Sequence, residues 1–253
     1  MITDLYDLPT PPTGWTTDPA GAPLYYCNEW LLGGYGYFGK NAWAEKTYTN
    51  LPPHYEVNIY MRIFQLDSWD NEVLYIKVDG STVYSRANTV GSPGQYNICG
   101  SSYTDSISDI STGAFNHTSE DLTLRLDSDL DEASTNENFG FKYIAIYLTL
   151  CHTTCAACTG PAYTECTACS GRYLYEGECR VSCPAGYWPD STNWKCQLCH
   201  SSCKTCNAGT SSSCTSCNTN RYLHPNTVGQ CLSSCPTNFY AERATWTCEP
   251  CFS

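Results

Sequence analysis

Apolar and polar residues alternate through much of the first 150 positions, and nowhere do apolar residues recur at helical spacing. Across 56–64 the side chains Val57, Ile59, Met61 and Ile63 fall on one face. Across 72–78 the same holds for Leu74, Ile76 and Val78, and Asp79-Gly80 then supplies a hairpin turn into 81–84. Leu122, Leu124 and Leu126 share a face, as do Ile144, Ile146, Leu148 and Leu150. Short strands joined by polar, glycine-bearing turns predict an all-β unit over 24–150, a β-sandwich of jelly-roll type. About 150 residues are enough to bury an ordinary hydrophobic core. Residues 1–23 hold five prolines and little periodicity, and read as a loose leader.

The run Gly33-Gly34-Tyr35-Gly36-Tyr37-Phe38-Gly39 has glycines at the density of a phosphate loop. No Gly-Lys-Ser/Thr follows it, so it reads as a close-packed strand and turn.

From Cys151 onward the alternation gives way to cysteines that return twice in the same order. The first pass is Cys151, Cys155, Cys158, Cys166, Cys169, Cys179, Cys183, Cys196. The second is Cys199, Cys203, Cys206, Cys214, Cys217, Cys231, Cys235, Cys248. The first five positions are offset by 48 residues, and an insertion of four between 222 and 230 moves the rest to 52. Cys251 stands where a third pass would open, which reads as truncation of a longer array. The residues between repeat too: His152-Thr153-Thr154 with His200-Ser201-Ser202, Arg172-Tyr173-Leu174 with Arg221-Tyr222-Leu223, Cys183-Pro184 with Cys235-Pro236. Such self-similarity means modules, here 151–198, 199–250 and the start of another at 251–253, each too small for a core of its own.

This spacing resembles the furin-like, growth-factor-receptor type of cysteine-rich repeat over 151–251. The resemblance implies a rod of small knuckles. It also implies the pairs Cys151–Cys158, Cys155–Cys166, Cys169–Cys179 and Cys183–Cys196, then Cys199–Cys206, Cys203–Cys214, Cys217–Cys231 and Cys235–Cys248. Spacing alone leaves the connectivity open. The first 150 residues hold two cysteines, Cys27 and Cys99, and the simplest arithmetic pairs them.

Zinc is the competing reading, because six Cys-x-x-Cys pairs occur. Zinc ribbons separate their ligand pairs by about a dozen residues or more. Only seven lie between Cys158 and Cys166, and between Cys206 and Cys214. Free thiols at this density would also need a reducing compartment. Disulfides are therefore expected, no zinc is expected, and the protein is placed outside the cell or at its surface. The N-terminus lacks the basic start and apolar run of a signal peptide, which for an extracellular chain reads as a signal removed or lying upstream. No apolar run approaches the ~18 residues of a membrane span.

All of the net charge of −12 belongs to the first 150 residues. That speaks against nucleic acid or an anionic membrane as partner. It fits calcium, a basic partner or simple solubility. The acidity concentrates in Asp67-Ser68-Trp69-Asp70-Asn71-Glu72 and in Asp127-Ser128-Asp129-Leu130-Asp131-Glu132, the latter followed by Asn136-Glu137-Asn138-Phe139-Gly140. Calcium takes six to eight hard oxygens, and Asp67, Asp70, Glu72, Asp127, Asp129, Asp131 and Glu137 are the candidate ligands. The second cluster does not match the EF-hand loop, so calcium would sit at sandwich loops; solvated acidic turns are the plain alternative. Trp69, if exposed, would stack on a sugar ring beside these carboxylates; otherwise it fills the core.

Leu51-Pro52-Pro53-His54-Tyr55, the stretch from Asp67 to Glu72, Val78-Asp79-Gly80 and the stretch from Asn136 to Gly140 resemble jelly-roll modules that precede cysteine-rich repeats in large surface proteins of ciliated protists. The layout is also similar to galactose-binding-like sandwiches. What the resemblance implies is an extracellular recognition or assembly module.

Asn116-His117-Thr118 is a glycosylation sequon, with Asn116 the acceptor. Catalysis finds little footing. No Gly-x-Ser-x-Gly elbow is present, the five histidines lack metal-ligand spacing, and Asp67, Asp70 and Glu72 are the carboxylates a glycosidase would need. In the repeats Tyr187, Trp188, Trp194, Phe239, Tyr240 and Trp246 either cover the disulfides or make lateral contacts. The sequence thus points to a non-enzymatic extracellular structural or adhesion protein that assembles with itself or other surface proteins in a coat or filament. The alternative is a calcium-assisted, lectin-like or receptor ectodomain that binds a glycan or protein.

Overall fold

The computed structural model describes residues 1–10, 12–89, 96–224 and 229–251. It divides into two compact units, Met1–Leu150 and Cys151–Ser253. Every regular element among the described residues is a β-strand, and no helix is long and apolar enough to cross a membrane.

In the first unit the strands are β1 (Ile2–Asp4), β2 (Thr16–Asp18), β3 (Leu24–Cys27), β4 (Glu29–Gly33), β5 (Trp43–Tyr48) and β6 (His54–Asp67). They continue with β7 (Asp70–Val78), β8 (Ser81–Thr89), β9 (Ser106–Ser111), β10 (Phe115–Asn116), β11 (Leu122–Ser128) and β12 (Glu137–Leu150). One sheet runs β10-β6-β12-β4-β3, with β1 on β12 and β9 on β6; the other runs β2-β5-β11-β7-β8. The alternating residues Val57, Ile59, Met61 and Ile63 of β6 meet Leu74, Ile76 and Val78 of β7 and Leu122, Leu124 and Leu126 of β11 in one buried core between the sheets. Period-two alternation does this by itself, because successive side chains of a strand point to opposite faces.

The alternation stops at Phe64, where both faces of β6 become buried. The disulfide Cys27–Cys99 explains this. It fastens the segment holding Ile98 over Phe64, Leu66 and Leu31, making a second small apolar cluster on the outer side of the sheet. Asp79 and Gly80 have φ of 49° and 79°, the doubly left-handed turn that lets β7 fold back on β8. Gly33 answers a packing demand: a Cβ there would lie 2.1 Å from the Phe38 ring.

The loose-leader expectation for 1–23 is corrected. Ile2 to Asp4 pair with Ile146 to Ile144 of β12, and Thr16 to Asp18 pair with Glu45 to Trp43 of β5. Leu5 and Trp15 enter the core, and Asp4 Oδ2 accepts from Trp15 Nε1, Lys46 Nζ and Tyr48 OH. The prolines hid these strands because both pair with partners far along the chain.

The second unit repeats one plan. In the first pass β13 (Cys155–Cys158) and β14 (Cys166–Cys169) form a hairpin, and β15 (Tyr173–Tyr175), β16 (Glu178–Arg180), β17 (Tyr187–Asp190) and β18 (Lys195–Leu198) form a sheet ordered β16-β15-β18-β17. The second pass copies it with β19 (Cys203–Cys206), β20 (Cys214–Cys217), β21 (Tyr222–Leu223), β22 (Cys231–Leu232), β23 (Phe239–Glu242) and β24 (Thr247–Pro250). Its disulfides are Cys151–Cys158, Cys155–Cys166, Cys169–Cys179 and Cys183–Cys196, then Cys199–Cys206, Cys203–Cys214, Cys217–Cys231 and Cys235–Cys248. Cys251 is exposed and free. Trp188 packs on the half-cystines of the second pass, while Trp194 and Tyr240 stay 43% and 45% exposed. Trp194 and Trp246 each take a left-handed φ, pack their rings against Tyr173 and Tyr222, and offer their carbonyl to the next-door strand at Leu174 and Leu223.

Candidate metal centre

The site grows from the two-residue link between β6 and β7. Trp69 turns inward there, fully buried, and its Nε1 donates to the Asn138 carbonyl at 2.9 Å. With the indole committed to the core, Asp70 at the head of β7 faces solvent. Asn71 has a φ of 114° and the β7–β8 register slips between Asp70 and Val73, a bulge that brings Glu72 Oε2 onto the Asp70 backbone N–H. Glu137 enters from the other sheet as the first residue of β12, held there by its register with Asp67. Carboxylate oxygens of Asp70, Glu72 and Glu137 consequently lie within 4.8 Å of one another.

The electrostatics are those of a site short of positive charge. Glu137 is 1% exposed, and its Oε2 has no hydrogen-bond partner. Burial, then the Glu72 and Glu132 carboxylates, push the Glu137 carboxyl up to about 7. Burial and then the Asp70 carboxyl raise Glu72 as well. Like charges this close resist ionising together, and a bound divalent cation reverses that preference. The oxygens suit calcium, which accepts six to eight hard ligands. Asp70 forms the solvent-exposed side of the group and Glu137 the buried side.

The carboxylates of Asp67, Asp127 and Asp129 are engaged elsewhere, and Asp131 lies outside the group. Asp67 is fully buried and accepts from the Ser101 N–H and Oγ and from Asn138 Nδ2. Asp127 pairs with Lys77 at 2.8 Å and Arg125 at 3.0 Å. Asp129 accepts from Val73 N and Tyr75 OH, and Asp131 is exposed, its carbonyl receiving Lys40 Nζ. Among the described residues, only Asp70, Glu72 and Glu137 converge on a common point. The reading of Trp69 as a sugar platform is corrected, since a side chain wholly inside the core offers no face to a ligand. Asp67 is likewise corrected: its oxygens tie down the loop around Cys99, where a Cβ on Gly100 would lie 2.3 Å from Oδ2. Asp70 and Glu72 lie on one strand within hydrogen-bonding reach, not on opposite walls of a cleft as paired glycosidase carboxylates do.

Two clusters escaped the sequence. Asp105 is 2% exposed and accepts from the N–H groups of Asp67, Ile98 and Cys99; burial raises its carboxyl. His54 and His117 stack with ring centroids 5.0 Å apart and Nε2 to Nδ1 at 2.7 Å. His54 Nδ1 meets the Pro52 carbonyl, and His117 Nε2 meets Asp79 Oδ2 at 3.0 Å. Residues 63 apart meet here only because β10 pairs with the start of β6. No local spacing carries that signal.

Nine disulfides and the repeated cysteine plan define a sandwich joined to small disulfide-stapled repeats, a make-up of oxidising, extracellular compartments. The chain is 38% identical over 103 residues to proprotein convertase subtilisin/kexin type 5 of Mus musculus, which is 41% of this chain and 5% of that protein. It is 39% identical over 49 residues to the variant-specific surface protein VSP4A1 of Giardia intestinalis, 18% of this chain and 7% of that one. The chain thus spans only a few per cent of the length of the curated relatives it matches. No family model matches it. Among solved structures, the CBM22-1 xylan-binding domain from Paenibacillus barcinonensis is 14% identical with a TM-score of 0.36, covering 60% of this chain and 95% of that one.

Proposed function

We propose that the chain is a non-enzymatic extracellular adhesion protein. Its sandwich binds a glycan or protein ligand with the help of calcium held by Asp70, Glu72 and Glu137, and its repeats serve as a disulfide-stapled spacer. The observation that carries this reading is the buried Glu137 carboxylate, one oxygen unpartnered, facing two further carboxylates. Asp70 and Glu72 would hold the cation from the solvent side and Glu137 from beneath. A calcium ion bound there would supply a positive centre for hydroxyl groups of a ligand. The extracellular setting is supported by the disulfides and by the likeness to a protein named as a surface protein.

Assembly into a coat or filament is the second reading. It is favoured by exposed apolar side chains in both repeats, with Tyr163 57%, Leu198 65% and Tyr240 45% exposed. One experiment separates the two. The secreted chain is applied to glycan and surface-protein arrays and sedimented, each with calcium and with chelator. Chelator-sensitive array binding by a monomer supports the calcium-assisted module. Large assemblies that persist in chelator, with empty arrays, replace it with the structural reading.

A further inference from the structure

The outer face of the seven-stranded sheet carries an aromatic pair that the core does not use. Tyr60 and Tyr147 are 44% and 45% exposed, and their rings meet edge to face at 5.3 Å. The pair is held in place: Asn58 Nδ2 donates to Tyr60 OH, and Asn58 Oδ1 accepts from Ser111 Oγ. On the same face lies the sequon residue Asn116. Asn116 stands opposite Glu56, Glu56 opposite Thr149, and Asn58 opposite Tyr147. Residues directly opposed across an antiparallel ladder point to one side of the sheet, as do positions two apart on a strand. Asn116 is exposed, and its neighbours Phe115 and His117 turn toward the interior. Asn116 and Tyr147 are separated by two strand spacings and one two-residue step, about 12 Å in all. That is within reach of the first two pyranose rings of an asparagine-linked glycan.

We propose that Asn116 is glycosylated and that its own glycan lies across Tyr147 and Tyr60. A pyranose offers a flat C–H face to an aromatic ring and hydroxyls to the polar groups around it. Tyrosine suits such a partner, being apolar across the ring and polar at its tip. In the attachment step the Asn116 amide nitrogen forms a C–N bond to the anomeric carbon of a polyprenyl-diphosphate oligosaccharide. The bond from that carbon to the diphosphate breaks, the lipid diphosphate leaves, and the amide gives up one proton. The inference rests on the extracellular reading, since attachment requires passage through a secretory route.

The test uses the full chain secreted by a glycosylating host. One half is treated with an amidase that removes the glycan and leaves Asp at 116, and Thr118→Ala supplies a chain never modified. Hydroxyl-radical labelling with peptide mass spectrometry then reads each tyrosine. Glycan on Asn116 is expected, and with it labelling of Tyr60 and Tyr147 roughly threefold or more below that of both glycan-free forms, as loss of most of the open ring area requires. Tyr26, 56% exposed on β3 at the far side of the sheet, is expected to label equally in all three. An unmodified Asn116 overturns the proposal, and so does a glycan that leaves both tyrosines as reactive as before. Protection in Thr118→Ala that grows with protein concentration also overturns it, in favour of a second copy on this face. The disulfides of the same material test the extracellular reading separately, so either idea can fail alone.

Discussion

Residues 1–150 hold one disulfide and a continuous apolar core, whereas residues 151–251 hold eight disulfides around which little else is buried. The sandwich brings strands from distant parts of the chain together, so one hydrophobic cluster draws on almost all of them. The two repeats together close loops of 7 to 14 residues, and half-cystines make up most of their buried side chains. Charge divides the same way, with −12 in the first region and a balance in the second. One region is therefore sensitive to packing and protonation, the other to redox state.

Reductant breaks the comparison most sharply. Each disulfide contributes about 2–4 kcal/mol, and modules this small have little to replace them. Hydrogen exchange read by mass spectrometry should show protection lost from β13 through β24 in reductant while β6 and β12 keep theirs. Uniform loss, or none, would contradict the division. Substitution of tryptophans reverses the preference. Trp69→Ala should cost the sandwich about 3–5 kcal/mol, as removal of a fully buried aromatic does. Trp194→Ala should cost its repeat only about 1 kcal/mol, the worth of a partly exposed aromatic pair. Urea unfolding followed by exchange in each region measures both.

Legibility follows the same boundary. Val57, Ile59, Met61 and Ile63 announce their strand because alternation is local, and the repeated cysteines announce their modules because a period is visible without any structure. Residues 2–4 and 16–18 give no such sign, since what makes them strands is pairing with β12 and β5. Asp70, Glu72 and Glu137 were each legible as acidic candidates. Their meeting was not, because it depends on Glu137 standing opposite Asp67 across 70 residues. Trp69 was legible only as a choice between a sugar platform and the core, because its polar neighbours mark a surface turn while its size suits the interior; burial decides for the core.

Acidification should sharpen the comparison by a smaller amount. Burial pushes His54 below the ordinary histidine range, and His117 adds to the effect. The folded sandwich then binds fewer protons than the unfolded chain. The stability this contributes is present above about pH 6.5 and lost as pH falls through the lowered folded value. Glu137 works in the other direction. Its raised carboxyl contributes stability that is complete below the unfolded value and lost as pH rises through about 7. The informative quantity is thus the difference between wild type and His54→Gln in urea midpoints from pH 7.5 to pH 5, with Asp79 the charged partner of the pair. The variant should lose less of its stability on acidification. Equal slopes would contradict the role given to His54.

The most direct test of the calcium account is calorimetric titration of the secreted full chain with calcium near pH 7, in two buffers of different ionisation enthalpy. One calcium per chain is expected, with a proton released on binding because the Glu137 carboxyl must ionise to take the metal. Glu137→Gln should abolish the heat while leaving calcium-free thermal unfolding of the sandwich intact. Absence of binding at millimolar calcium, or binding undiminished in Glu137→Gln, would contradict the site.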